Sequence, residues 1–242
     1  MEPMTSSFSD QRVVIVGGTS GLGLATAQHL AGEGADVVVA GRRHVDAALD
    51  QLPATVTGAS VDVRDERAVA DLFAELGDFD HLAYTAGEPL ALEAIDDLDL
   101  RVARDRLEIR VWGAYAAVKH AHGHIRPGGS IVLTSGSAGT RPQPTWALGA
   151  SVCGATEALT RTLALELAPV RVNAVAPGVV RTALWRDMSE EQRTAMYDGL
   201  ARTLPVERVG DAHEVARAYA YLMSSEYTTG TVLAIDGGAL LV

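Results

Sequence analysis

A chain of 242 residues is long enough to bury one large α/β core. Its formal net charge of −11 excludes nucleic acid and anionic membrane surfaces as partners, because both are polyanions. No stretch approaches the roughly 18 uninterrupted apolar residues of a membrane span, the polar segment Met1–Gln11 lacks a signal-peptide core, and the single Cys153 permits no internal disulfide and suits a reducing compartment, so a cytoplasmic protein is expected.

Short β-branched runs alternate with longer amphipathic ones. The runs Val13–Val16, Asp36–Ala40, Thr55–Val61, His81–Ala86, Ser130–Thr134, Val170–Val175 and Val232–Ile235 read as strands, and 21–33, 44–51, 65–76, 98–124, 148–168 and 211–223 as helices. Strand–helix alternation of this kind predicts a Rossmann-like, doubly wound, parallel seven-stranded sheet with helices on both faces, in one domain spanning 1–242. The polar, helix-prone stretch 182–208 breaks the rhythm; it is either a lid over a site or a surface excursion.

The first strand, Val13–Val16, runs into Gly17-Gly18-Thr19-Ser20-Gly21-Leu22-Gly23 and then into a helix. Gly17 and Gly18 permit a tight turn, while Gly21 and Gly23 keep Cβ atoms away from an approaching pyrophosphate. The helix N-terminus offers free N–H groups and a positive dipole end, and Thr19 and Ser20 add hydroxyls. About 20 residues further on, where a ribose reader is expected, the second strand ends in Gly41-Arg42-Arg43 with no acid. An acid there would repel a 2′-phosphate, whereas two guanidinium groups pair with one, which predicts NADP(H) rather than NAD(H). The plainer reading is a pair of solvated arginines, although cations oppose the dipole at a helix start.

Residues 12–238 resemble the short-chain dehydrogenase/reductase family. Gly17, Gly21 and Gly23 follow its G-x-x-x-G-x-G spacing, with Val16 where the family usually has Thr; Ala86 and Gly87 match the end of its Asn-Asn-Ala-Gly motif; and Arg171 through Thr182 and Asp236-Gly237-Gly238 match its sixth strand with the following loop and its terminal strand. The resemblance implies that Asp62 and Val63 flank the adenine, that Pro177, Gly178, Val180 and Thr182 line the nicotinamide with Val180 using its backbone, and that the chain is a homo-oligomer, dimer or tetramer, acting on a small molecule.

The family's reaction uses Asn, Ser, Tyr and Lys. Glu157 through Arg161 place the Lys position at Cys153 and the Tyr position at Gly149; the Ser position falls on Gly136 and the Asn position on Arg110. No Tyr-x-x-x-Lys occurs in 130–170. Ser137 or Ser135 can instead hydrogen-bond a carbonyl, and Arg110 can stabilise a developing oxyanion; the bland alternative is a structural salt bridge and a loop cap. Trp146 and Trp185 can shape an apolar pocket, or pack in the core or a subunit contact. Cys153 reads as a buried packing residue. His120, His122 and His124 do not share one helical face, so no metal site is expected. Three functions follow: an NADP(H)-dependent oxidoreductase with an altered proton path acting on a ketone, imine or activated alkene; a non-redox isomerase, cyclase or lyase; or a catalytically silent partner subunit.

Overall fold

Strand β1 (Arg12–Val16) alternates its apolar side chains with the period-two geometry of a strand buried on both faces. Val14 and Val16 join one core; Val13 and Ile15 join the other. The structure, a computed structural model, describes residues 8–89 and 92–242. After β1 come α1 (Gly21–Gly32), β2 (Asp36–Gly41), α2 (Val45–Leu49), β3 (Thr57–Ser60), α3 (Glu66–Leu76), β4 (Phe79–Tyr84), α4 (Leu100–Leu107) and α5 (Gly113–Ala121). The second half holds β5 (Ile125–Thr134), α6 (Ala147–Glu166), β6 (Arg171–Pro177), β7 (Val180–Arg181), α7 (Glu190–Ala201), β8 (Gly210–Asp211), α8 (Ala212–Ser224) and β9 (Val232–Ile235).

The main sheet has seven strands in the order β3-β2-β1-β4-β5-β6-β9, every pair parallel. Val69, Leu72 and Phe73 of α3, Ala114 and Val118 of α5, and Leu159 and Leu163 of α6 cover one face. Ala27 and Leu30 of α1 with Val215, Tyr219 and Leu222 of α8 cover the other. From β1 the chain moves outward to β2 and β3, then returns past β1 to β4. That reversal opens a crevice at the carboxyl ends of β1 and β4, the place where such sheets bind ligands.

Several boundaries differ from the sequence expectation. Helix 44–51 shrinks to α2 because His44 adopts φ +60°, a left-handed conformation that cannot begin a helix. Strand 55–61 starts at Thr57, since Val56 closes a turn onto the Pro53 carbonyl at 2.9 Å. The helix expected over 98–124 is interrupted by a π-helical turn at Glu108–Trp112 and ends in a 3₁₀ turn at His122–His124. The cause of the π turn lies on another element: the buried Tyr84 hydroxyl donates to the Ile109 carbonyl at 2.5 Å, taking an acceptor the helix would otherwise use.

The stretch 182–208 leaves and rejoins the fold at a small parallel ladder, where Val180 pairs with Gly210 and Arg181 with Asp211. Trp185 anchors its start, buried and donating its indole N–H to the Val180 carbonyl at 3.0 Å. Helix α7 beyond it has a Ser189–Gln192 capping box but buries none of its side chains fully. The element is therefore locally stable and held mainly at its base.

Candidate functional site

A cavity of about 530 Å³ follows the switch-point crevice from Arg42 and Arg43 to Gly149 and Cys153. At its centre, Gly17 holds φ +91° with its α-carbon against the Thr85–Ala86 backbone, where a Cβ would overlap main-chain atoms. Thr19, Ser20, Gly21 and Leu22 form the wall at the front of α1, with Ala86 and Gly87 opposite. Gly23, in the same first turn of α1, packs on the Gly17 carbonyl and the Thr85 hydroxyl rather than on the cavity wall. Ser20 at the N-cap makes no side-chain capping bond, and the first turn carries no acid. The amide end of α1 is therefore left for an external anion.

At the outer end, Arg42 donates to Glu88 Oε1 at 2.8 Å and lies 3.6 Å from Asp62. Asp62 is gripped more tightly by Arg64, at 2.6 Å, and that bond holds its carboxyl at about 2, well below the usual carboxylate range. Arg43 and Val63 complete this end. Glu88 also meets Arg186 at 2.7 Å, so one carboxylate ties the outer end of the crevice to the 182–208 segment. Nothing in the local sequence around Glu88 signals this convergence, because its partners come from distant parts of the chain.

The inner end gathers Arg110, Ser135, Ser137, Cys153 and Gly149 with Trp146 and Trp185. The wall toward β6 is made by Pro177, Gly178, Val180 and Thr182; the Thr182 hydroxyl accepts from the Leu184 amide at 3.3 Å, and its Cβ faces Gly21. Arg110 rides on the π turn and lays its guanidinium against Gly87, where a Cβ would come 2.6 Å from its central carbon. One terminal nitrogen donates to the Glu88 backbone carbonyl at 2.7 Å, while the buried Nε has no partner among the described residues. The salt-bridge alternative for Arg110 is thus not what the structure contains: this bond is to a main-chain carbonyl. Burial lowers its pKa, but a guanidinium stays cationic.

Ser135 shares its hydroxyl between the Cys153 carbonyl, 3.3 Å, and Glu157 Oε1, 3.2 Å. Ser137 opens a 3₁₀ turn, and its hydroxyl has no protein partner among the described residues. Cys153 is buried, and burial pushes its thiol pKa up, so it is a neutral wall and no substitute for a cation. The histidines disperse: His120 bonds Glu66 at 3.1 Å, His122 the Lys119 carbonyl at 2.9 Å, and His124 lies 3.8 Å from Asp78.

Tyr84 and Thr85, at the carboxyl end of β4, keep the crevice in shape. Tyr84 sets the π turn, and the Thr85 hydroxyl donates to the Val16 carbonyl at 3.1 Å, tying β4 to β1.

A family profile described as Enoyl-(Acyl carrier protein) reductase matches residues 16–239. The short-chain dehydrogenase/reductase ucsE of Acremonium sp is 37% identical over 95% of both chains. The short-chain dehydrogenase/reductase malC of Malbranchea aurantiaca is 34% identical over 96% of this chain and 95% of that one. Among solved structures, a small-chain dehydrogenase in complex with NADPH superposes with a TM-score of 0.85 at 36% identity, covering 96% of this chain and 99% of that one. The MalC Reductase/Diels-Alderase of Malbranchea aurantiaca superposes with a TM-score of 0.90 at 29% identity, covering 98% and 99%.

Proposed function

Because the chain belongs to the short-chain dehydrogenase/reductase family, we propose that it is an NADP(H)-dependent oxidoreductase that reduces an electrophilic ketone, imine or activated alkene without the family's Tyr–Lys proton path. The observation that carries this reading is the single continuous cavity joining the uncapped front of α1 and the paired Arg42 and Arg43 to Arg110. The cofactor is NADP(H): the first-turn amides of α1 receive the pyrophosphate, Arg42 and Arg43 the 2′-phosphate, and Asp62 and Val63 flank the adenine. Pro177–Thr182 would hold the nicotinamide, which supplies hydride chemistry when bound.

At the inner end, Arg110 binds the oxygen that gains negative charge, and Ser137 and Ser135 orient it. Arg110 cannot act as the acid, and neither Gly149 nor Gly136 carries a group that could. The proton therefore comes from water admitted beside Ser137. The 182–208 segment covers the substrate, hinged at the β7–β8 ladder, with Trp185 and Trp146 as apolar walls. Exposed Trp112 on the π turn, Tyr115 on α5 and Leu165 on α6 form the face through which copies assemble.

A second reading is cyclisation in the same pocket, supported by the aromatic walls and by a relative described as both reductase and Diels-Alderase. NADPH absorbance at 340 nm, followed against a carbonyl, imine and enone panel with product analysis, separates them. Oxidation of NADPH coupled to a reduced product supports the first. Product formed at constant absorbance replaces it with the second.

A further inference from the structure

We propose that the inner end of the cleft is an anion subsite, built on Arg110, for a ligand carrying a delocalised oxyanion: an acidic enol or a carboxylate. The inference rests on the reductase reading above and names its substrate class.

Three features of the cleft carry it. Arg110 lines the cavity, yet among the described residues its only bond is to a backbone carbonyl and its buried Nε has none. Among the described residues no carboxylate lies within ion-pair distance of it. The carboxylates in the cavity wall are engaged elsewhere, Asp62 with Arg64 and Glu88 with Arg42 and Arg186. A cation desolvated without a counter-charge is unfavourable, and a ligand anion relieves that penalty. The subsite is also held in place rather than flexible: Gly87 lets the guanidinium lie flat on the main chain, and the Tyr84–Ile109 bond fixes the turn that carries it. Finally, the groups around it are poor proton donors. Gly136 and Gly149 have no side chain, and Cys153 is held neutral and buried.

Those features select the same chemistry. A simple alkoxide needs a proton as it forms, whereas a delocalised oxyanion does not. Hydride added to the β-carbon of an alkene whose α-carbon carries two carbonyls breaks the C=C π bond and leaves its electron pair delocalised over the two dicarbonyl oxygens. The dihydronicotinamide is the two-electron reductant, and water returns a proton to the α-carbon. The product enolate matches Arg110 from the moment it forms. A protonated imine would instead bring a second cation against it, which narrows the substrate away from iminium ions.

Calorimetry on the intact chain saturated with NADP⁺ tests this. The probes are 4-hydroxycoumarin, ionised at neutral pH, against 4-methoxycoumarin, and 2-naphthoate against 2-naphthamide. At least one anion is expected to bind tenfold or more tighter than its neutral partner, and whichever pair shows the preference identifies enol or carboxylate as the source. Arg110→Met should abolish the preference and Arg110→Lys should restore part of it. Equal binding within each pair, or a preference that survives Arg110→Met, overturns the subsite. Uptake of NADP⁺ by the nucleotide-free chain is titrated first, so loss of nucleotide binding, which sinks the reductase reading, is distinguished from loss of the anion preference alone.

Discussion

Replacing Tyr84 with Phe removes one oxygen atom from the buried contact that shapes the inner end of the cleft. The hydroxyl donates to the Ile109 carbonyl at 2.5 Å, and burial pushes the phenol pKa well above its ordinary value, so it is a neutral donor at any working pH. Its loss leaves a buried carbonyl unpaired, costing about 1–2 kcal/mol, which for a chain of this size lowers Tm by about 2–8 °C. Without its side-chain partner, the turn at Glu108–Trp112 is free to tighten toward an α-helix. A one-residue slip there rotates Arg110 by about 100° around the axis and withdraws the guanidinium from Gly87. Tyr219→Phe is the control, because its hydroxyl bonds Thr134 at 2.6 Å from the opposite face of the sheet. Both variants should lose comparable stability in thermal unfolding, but only Tyr84→Phe should weaken oxyanion-probe binding, by tenfold or so. If Tyr84→Phe loses stability and keeps full affinity for the anion, the claim that Tyr84 positions Arg110 is wrong.

Arg42→Gln should weaken NADPH binding about 2- to 30-fold, since a charge-assisted phosphate bond contributes about 1.5–3 kcal/mol and releasing the partly exposed pairs to Glu88 and Asp62 costs about 1 kcal/mol; NADH affinity should be unchanged, and an equal loss for both nucleotides refutes the assignment. Gly17→Ala should cut nucleotide binding by more than an order of magnitude, because φ +91° and the adjacent Thr85–Ala86 backbone leave no place for a Cβ, and unaltered calorimetry would contradict the loop geometry. His81, bonded to Ser130 at 2.9 Å and Gln11 at 3.0 Å, is held down to about 4, first by burial and then by Arg171. The unfolded chain takes up this proton near 6.5 and the folded one resists it, so stability from this group is complete above pH 7 and falls by about 3 kcal/mol as pH drops toward 4. Urea unfolding across that window should show a steeper acid loss in the wild type than in His81→Gln, and parallel curves would refute it.

The parts of the fold legible in the sequence are those in which local pattern and tertiary environment agree. β1 reads as a strand because both of its faces are buried, and the loop from Gly17 to Gly23 announces a nucleotide site because its backbone conformation demands glycine. Arg42 and Arg43 follow from their spacing after the glycine loop and Arg110 from the resemblance to the family's helix before the active site, and all three border one cavity. What escaped depends on groups far apart in the chain. The π turn is invisible in Leu100–Ala121, since its cause is a hydroxyl on β4. The convergence of Arg42 and Arg186 on Glu88 has no local signature at all. The ladder between Val180 and Gly210 is too short to show a period. The sequence expectation starts a helix at His44, but its backbone is left-handed, φ +60°, and the helix begins at Val45.

The account stands or falls on whether the crevice at the front of α1 takes up a nicotinamide nucleotide carrying the extra phosphate. Calorimetric titration of the folded wild-type chain with NADPH and NADH in parallel measures this directly. NADPH should bind at least tenfold tighter than NADH; uptake of neither nucleotide, or tighter binding of NADH, would contradict it.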